Sequence, residues 1–139
     1  MNERVVVVNA GKMNYDHLLD FSVLSNDVQV YDDSTNAELI ERIQGATVVV
    51  TKEIPVGPEL LSQFPESVKL IVEAGTGYNN IDLDAARAKG ITVCNIPAYS
   101  TERVAHTAIM MLLNFASTMQ QQIGMLARGD RSNFTKHLQ

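Results

Sequence analysis

At 139 residues the chain has the length of one domain, and a domain of that size buries about two thirds of its unfolded surface, enough for a core without metals or disulfides. A formal charge of -5 with no basic cluster, no tryptophan and only 6% aromatic residues speaks against nucleic acid and anionic membranes as partners. The single cysteine, Cys94, admits no internal disulfide, which fits a reducing compartment, and its apolar setting Ile91-Thr92-Val93-Cys94 predicts a buried, inert thiol.

Met1 to Arg4 leads straight into Val5-Val6-Val7-Val8, too short for the apolar region of a signal peptide, so a cytoplasmic location is expected. The valine run predicts a central strand covered on both faces. Asn14 is a candidate cap for a short helix over 15–20 that turns Leu18, Leu19 and Phe21 inward and leaves His17 on the solvated side. Val28-Gln29-Val30-Tyr31 alternates as a strand nearer the sheet edge. The pair Asp32-Asp33 before Ser34 suits either a metal or phosphoacceptor site or plain turn chemistry. Thr35 and Glu38 have the spacing of a capping box, and the helix they open runs to Ile43 before Gly45. Thr47 to Val50 is the third strand. It delivers Thr51-Lys52 to the carboxyl end of the sheet, which makes Lys52 a candidate contact for an anionic ligand. Gly57-Pro58-Glu59 starts the next helix, with proline where its missing N–H costs nothing, and Pro65 closes it.

Lys69 to Val72 reads as a strand buried on both faces. It runs into Gly75-Thr76-Gly77, and Asp82 then caps a helix over 83–89 that Gly90 stops. In an open parallel sheet ligands sit beyond the carboxyl ends of the strands, so this order predicts backbone amides facing an anion. A dinucleotide fingerprint is not formed: Asn80 stands at the third glycine position, and Asn95 where an acid is required. A tight turn with no ligand remains open as the alternative.

Ile91 to Cys94 is the fifth strand. Ser100 is placed to cap one long helix, with Glu102 in its first turn. Along it Val104, Ala108, Met111, Leu112, Phe115, Met119, Ile123 and Leu126 keep helical spacing, and Ile109, Met110 and Leu113 widen the apolar surface beyond one stripe. A second domain or second subunit is therefore expected to cover it, most simply as a homodimer through 101–127. His106, Thr107 and Asn114 interrupt the apolar region, which is too short to span a membrane. Residues 128–139 are polar and expected to fray. Five strands alternating with helices give a flavodoxin-like parallel five-stranded sheet with helices on both faces. A phosphoacceptor receiver domain shares that fold but requires an aspartate where Thr51-Lys52 stands.

Thr51-Lys52, the block from Ala74 to Asp82, Ala85-Ala86, the block from Lys89 to Pro97, and Tyr99-Ser100 followed by Val104-Ala105 together carry a resemblance. From Val50 to about Ala116 the sequence resembles the D-isomer-specific 2-hydroxyacid dehydrogenases, nearest their glycerate dehydrogenase or hydroxypyruvate reductase branch. The resemblance implies an NAD(P)-dependent oxidoreductase acting on a small 2-oxo or 2-hydroxy acid. It also implies that residues 1–100 are the substrate-binding domain, 101–127 an interdomain or dimerisation helix, and 128–139 a tail before a missing cofactor domain. The implied substrate contacts are Lys52, Gly75, Thr76 and Gly77, and the implied cofactor contacts are Thr76 and Val104. His106 departs from the acidic or amide residue usual after Val-Ala. The family's dinucleotide fingerprint, substrate arginine and histidine-glutamate pair have no match: Arg128 and Arg131 stand in the wrong context, and His137 has no acidic partner nearby. The resemblance thus predicts a truncated member with no catalytic residue and no metal, which binds NAD or NADP weakly if at all and is inactive alone. A free-standing small-carboxylate-binding or dimerisation module is the alternative.

Overall fold

The computed structural model describes residues 3–132 and Thr135, in two compact units, Met1–Pro97 and Ala98–Gln139. In the first unit five parallel strands, β1 (Arg4–Val7), β2 (Asp27–Val30), β3 (Val48–Thr51), β4 (Leu70–Glu73) and β5 (Thr92–Asn95), form one sheet in the order β2-β1-β3-β4-β5. This is the expected flavodoxin-like order. Most strands begin and end one residue away from the apolar run, so polar Thr51, Glu73 and Asn95 become their last members and stand level across the sheet.

Alternation along the valine run divides the core. Val6 and Val8 join Val49, Ile71, Leu39, Ile43, Leu60, Leu61 and Phe64 in the larger cluster, which takes in side chains of α1 (Asn36–Arg42), α2 (Pro58–Ser62) and α3 (Leu83–Ala88). Val5, Val7, Val50 and Ala10 form a smaller cluster on the opposite face, against which Met13 and Phe21 from two 3₁₀ segments are packed. β-Branched side chains suit this pleated, two-sided burial.

Local signals fix the helix ends. Thr35 Oγ1 accepts from the N–H of Glu38 and the Glu38 carboxylate accepts from the N–H of Thr35 at 2.9 Å, a complete capping box. Asp82 accepts from the N–H of Ala85 at 2.8 Å, Pro58 opens α2, and Gly90 stops the turn after α3 with φ 69°.

Four expectations are corrected. No helix forms over 15–20: Asn14 binds the N–H of Leu19 across a loop, His17 takes φ 57°, and Tyr15, Leu18 and Leu19 are exposed. Six residues with no packed face do not offset the cost of helix nucleation. Cys94 is exposed, because β5 is an edge strand and Cys94 lies level with Val72 on the thinly covered face. Ser100 stands at the helix start but its side chain makes no capping bond. The stretch 101–127 is two helices, α4 (Thr101–Ala116) and α5 (Met119–Ala127), parted at Thr118, which has φ 51°.

Because the Thr35 backbone N–H, then its hydroxyl, then Arg42 hold the Glu38 carboxyl below its ordinary value, its contribution is full above that value and is lost as pH falls through the lower folded value. Thr35→Ala is expected to cost about 1 kcal/mol in urea unfolding at neutral pH. The stability gap between the parent and Glu38→Gln should narrow in acid.

Candidate functional site

The carboxyl ends of β1, β3 and β4 are joined by buried amide and carboxylate groups. Asn9, wholly buried two residues past β1, donates its Nδ2 to the carbonyl of Lys52 and accepts from the N–H of Lys52 at 2.9 Å. Both polar atoms of one side chain thus fix the backbone from which the Lys52 ammonium is carried. Glu73, also wholly buried, accepts from the N–H of Glu53 at 2.9 Å on one oxygen and from Nδ2 of Asn80 at 3.0 Å on the other. Asn80 also donates to the carbonyl of Ile54 at 2.8 Å, and its own carbonyl accepts from the N–H of Val56 at 2.8 Å. The loop after β3 and the turn after β4 are therefore held to each other through Glu73 and Asn80.

Carbonyls of the glycine turn are occupied. The carbonyl of Gly75 accepts from the N–H of Ile96 at 2.9 Å, and that of Thr76 from Nδ2 of Asn95 at 2.8 Å. The Ala74 N–H goes to the carbonyl of Thr51 at 2.7 Å. The next three N–H groups, of Gly75, Thr76 and Gly77, meet no acceptor among the described residues. Gly75 is buried, whereas Thr76 and Gly77 are exposed. Successive main-chain N–H groups at a turn bind an anion where they converge on one point.

Lys52 adds the charge. Its side chain is 16% exposed and its ammonium pairs with Glu53 at 2.9 Å. A Cβ on Gly75 would fall 2.8 Å from the Lys52 Nζ and 3.3 Å from the nearer Glu73 oxygen, so a side chain at 75 would make the ammonium shift from its place against this turn. Gly77 is under no such demand, its Cβ position meeting only Asn79 at 3.5 Å. Glu53 takes φ 59°, a left-handed conformation rare outside glycine, and its carboxyl is held below the usual range first by the hydrogen bond from Lys52 and then by the lysine charge.

Of the sequence-derived site residues, Lys52, Gly75, Thr76 and Gly77 come together here. Val104 lies on α4 in the other unit and is exposed. Asn9, Glu73 and Asn80 were missed. Their signal is a polar residue at or just past the end of an apolar strand, Asn9 after four valines and Glu73 after Leu70-Ile71-Val72. Asp33 accepts from the N–H of Ser34, which is turn chemistry, and no metal-binding group of acids, histidines and cysteine occurs among the described residues. His106, Arg128 and Arg131 are exposed, and His137 lies outside the described residues. An open hollow of about 580 Å³ at the start of α3 includes Asp82, Asp84 and Arg87, the last two paired at 2.8 Å, but none of the four site residues.

The arrangement places one ammonium beside the glycine turn. It does not fit a dinucleotide, because the glycine turn runs through the loop 78–81 before α3 begins, α3 has six residues, and no Gly-x-Gly-x-x-Gly occurs in the sequence.

Residues 5–134 match the family model described as D-isomer specific 2-hydroxyacid dehydrogenase, catalytic domain. Over 96 residues the chain is 33% identical to a glycerate dehydrogenase of Methylorubrum extorquens, a match covering 69% of this chain and 30% of that protein. It is 36% identical over 110 residues to a D-3-phosphoglycerate dehydrogenase of Methanocaldococcus jannaschii, covering 78% of this chain and 21% of that protein. Among solved structures, a D-lactate dehydrogenase of Aquifex aeolicus complexed with NAD and lactic acid shares the fold with a TM-score of 0.77 at 24% identity, over 93% of this chain and 38% of that chain. The chain thus spans less than a third of these curated relatives' length.

Asn9→Ala removes both bonds to the Lys52 backbone and is expected to cost about 2 kcal/mol, the price of leaving a part-buried N–H and C=O unpaired. Urea unfolding checks this, and a loss under about 0.5 kcal/mol would contradict it.

Proposed function

The chain belongs to the D-isomer-specific 2-hydroxyacid dehydrogenases, and from that premise we propose that residues 1–100 are the carboxylate-binding domain of an NAD(P)-dependent oxidoreductase that reduces a small 2-oxo acid such as hydroxypyruvate or glyoxylate. One observation carries this: three consecutive N–H groups with no acceptor among the described residues, on buried Gly75 and on exposed Thr76 and Gly77, beside the Lys52 ammonium. The names of relatives, glycerate dehydrogenase and hydroxypyruvate reductase, support the choice of acid.

On this reading the turn's N–H groups donate to the carboxylate oxygens and Lys52 offsets their charge. Hydrogen bonds to an ionised acceptor are roughly twice as strong as neutral ones. With one end of the acid fixed, its 2-oxo carbon takes a defined position, which is the orientation that hydride transfer needs. NAD or NADP supplies the hydride in the whole enzyme. Thr76 and Val104 are the residues proposed to border the nicotinamide, and no residue of this chain is proposed as the proton donor. The protein is proposed to work in the cytoplasm.

The second part of the proposal concerns assembly. On α4 Val104, Ile109, Met110, Met111, Leu112, Leu113 and Phe115 are all more than half exposed. Apolar side chains spread over more than one stripe of a helix call for cover. A homodimer through 101–127 provides it with a self-matching surface.

Mixed with NADH and hydroxypyruvate, the 139-residue chain is expected to leave the nicotinamide absorbance unchanged, and measurable turnover would overturn that. Titration with glyoxylate should move the amide resonances of Gly75, Thr76 and Gly77. Lys52→Met should weaken that binding about tenfold, and an unchanged affinity would remove Lys52 from the site. Sedimentation velocity should show a dimer at micromolar concentration, against which a clean monomer would count.

A further inference from the structure

Glu53 has no part in the carboxylate nest, yet its own carboxylate occupies the ammonium that the nest needs. It lies 2.9 Å from the Lys52 Nζ. The two partners are buried to different degrees: the Glu53 side chain is 65% exposed, whereas that of Lys52 is 16% exposed and its backbone is held by Asn9. Glu53 is in turn anchored at its N–H to the buried Glu73. Its carboxylate can swing into water but cannot leave the neighbourhood. The charges meeting here are the ammonium of Lys52, the carboxylates of Glu53 and Glu73, and the more distant ammonium of Lys12, which also bears on Glu53.

Resting on the carboxylate-binding reading above, we propose that Glu53 is a resident competitor for the ligand's carboxylate and sets the site's charge selectivity, favouring singly over doubly charged small acids. A monoanion exchanges with Glu53 at Lys52, one carboxylate for another. A dianion brings a second negative charge to a place where, among the described residues, the displaced Glu53 and the buried Glu73 already stand beside the Lys52 ammonium. Nothing is bonded or broken in the exchange. Its strength is that of an exposed ion pair, small and sensitive to salt.

Glyoxylate and oxalate test this, being two-carbon acids of one and two charges. Each is titrated into the 139-residue chain while the amide resonances of Gly75, Thr76 and Gly77 are followed. The parent should bind glyoxylate more tightly than oxalate. Glu53→Gln, at an exposed side chain, should tighten glyoxylate about threefold and oxalate by about tenfold, with both gains shrinking in high salt. Asp27→Asn removes one negative charge at the opposite, amino end of β2 and should leave both affinities unchanged. If glyoxylate moves the turn amides but Glu53→Gln fails to tighten either acid, or Asp27→Asn tightens them equally, the competitor role is overturned and the carboxylate nest stands. If glyoxylate moves none of these amides in the parent, the nest itself is overturned, and the competitor role with it.

Discussion

A carboxylate sealed from water at the end of β4 is the constraint on which the site depends. A buried charge is costly unless its oxygens are matched by donors. Glu73 meets that requirement with the N–H of Glu53 and the side-chain amide of Asn80, groups that belong to two separate loops. Neither loop can drift without stranding the carboxylate. The glycine turn is therefore held at a fixed place relative to the residues that follow β3. Asn9 applies the same logic from β1, satisfying both backbone groups of Lys52. The ammonium's position is set at its root, and the long stem is confined by the space that Gly75 leaves open.

Much of this was legible in the sequence, because the signals are local. Runs of β-branched residues mark the strands, Thr35 and Glu38 stand at capping distance, and Pro58, Asp82 and Gly90 act on the backbone beside them. Gly75 to Gly77 reads as an approachable turn for the same reason. Glu73 and Asn9 were not legible as braces. A polar residue where an apolar run ends is ordinarily turn chemistry, and their partners lie 20 and 43 residues away, or in the case of Asn80 across a turn that hides the contact.

The misread elements fail for related reasons. Leu18 and Leu19 look like the inner face of a helix, but apolar spacing over six residues does not distinguish a helix from a loop held by Asn14. Cys94 has the composition of a central strand, and only sheet order, which depends on long-range pairing, reveals that its strand is at the edge. The break at Thr118 is invisible to periodicity because the apolar spacing continues across it. At the break Ser117 Oγ donates to the carbonyl of Leu113 and Gln122 Nε2 donates to that of Ser117, so side chains take up carbonyls around the left-handed Thr118.

The second unit is governed by a different balance. Helices in water draw most of their stability from packing one face, and α4 has no buried residue along its sixteen. Its apolar side chains nevertheless surround more than one stripe, so one neighbouring surface leaves part of them wet. Cover from more than one direction is then a condition for the helix as much as a consequence of it. Anything that binds the formed helix and not the unfolded chain would stabilise α4 by mass action. The glycine turn has no such dependence, being braced wholly within residues 9–96 of its own unit.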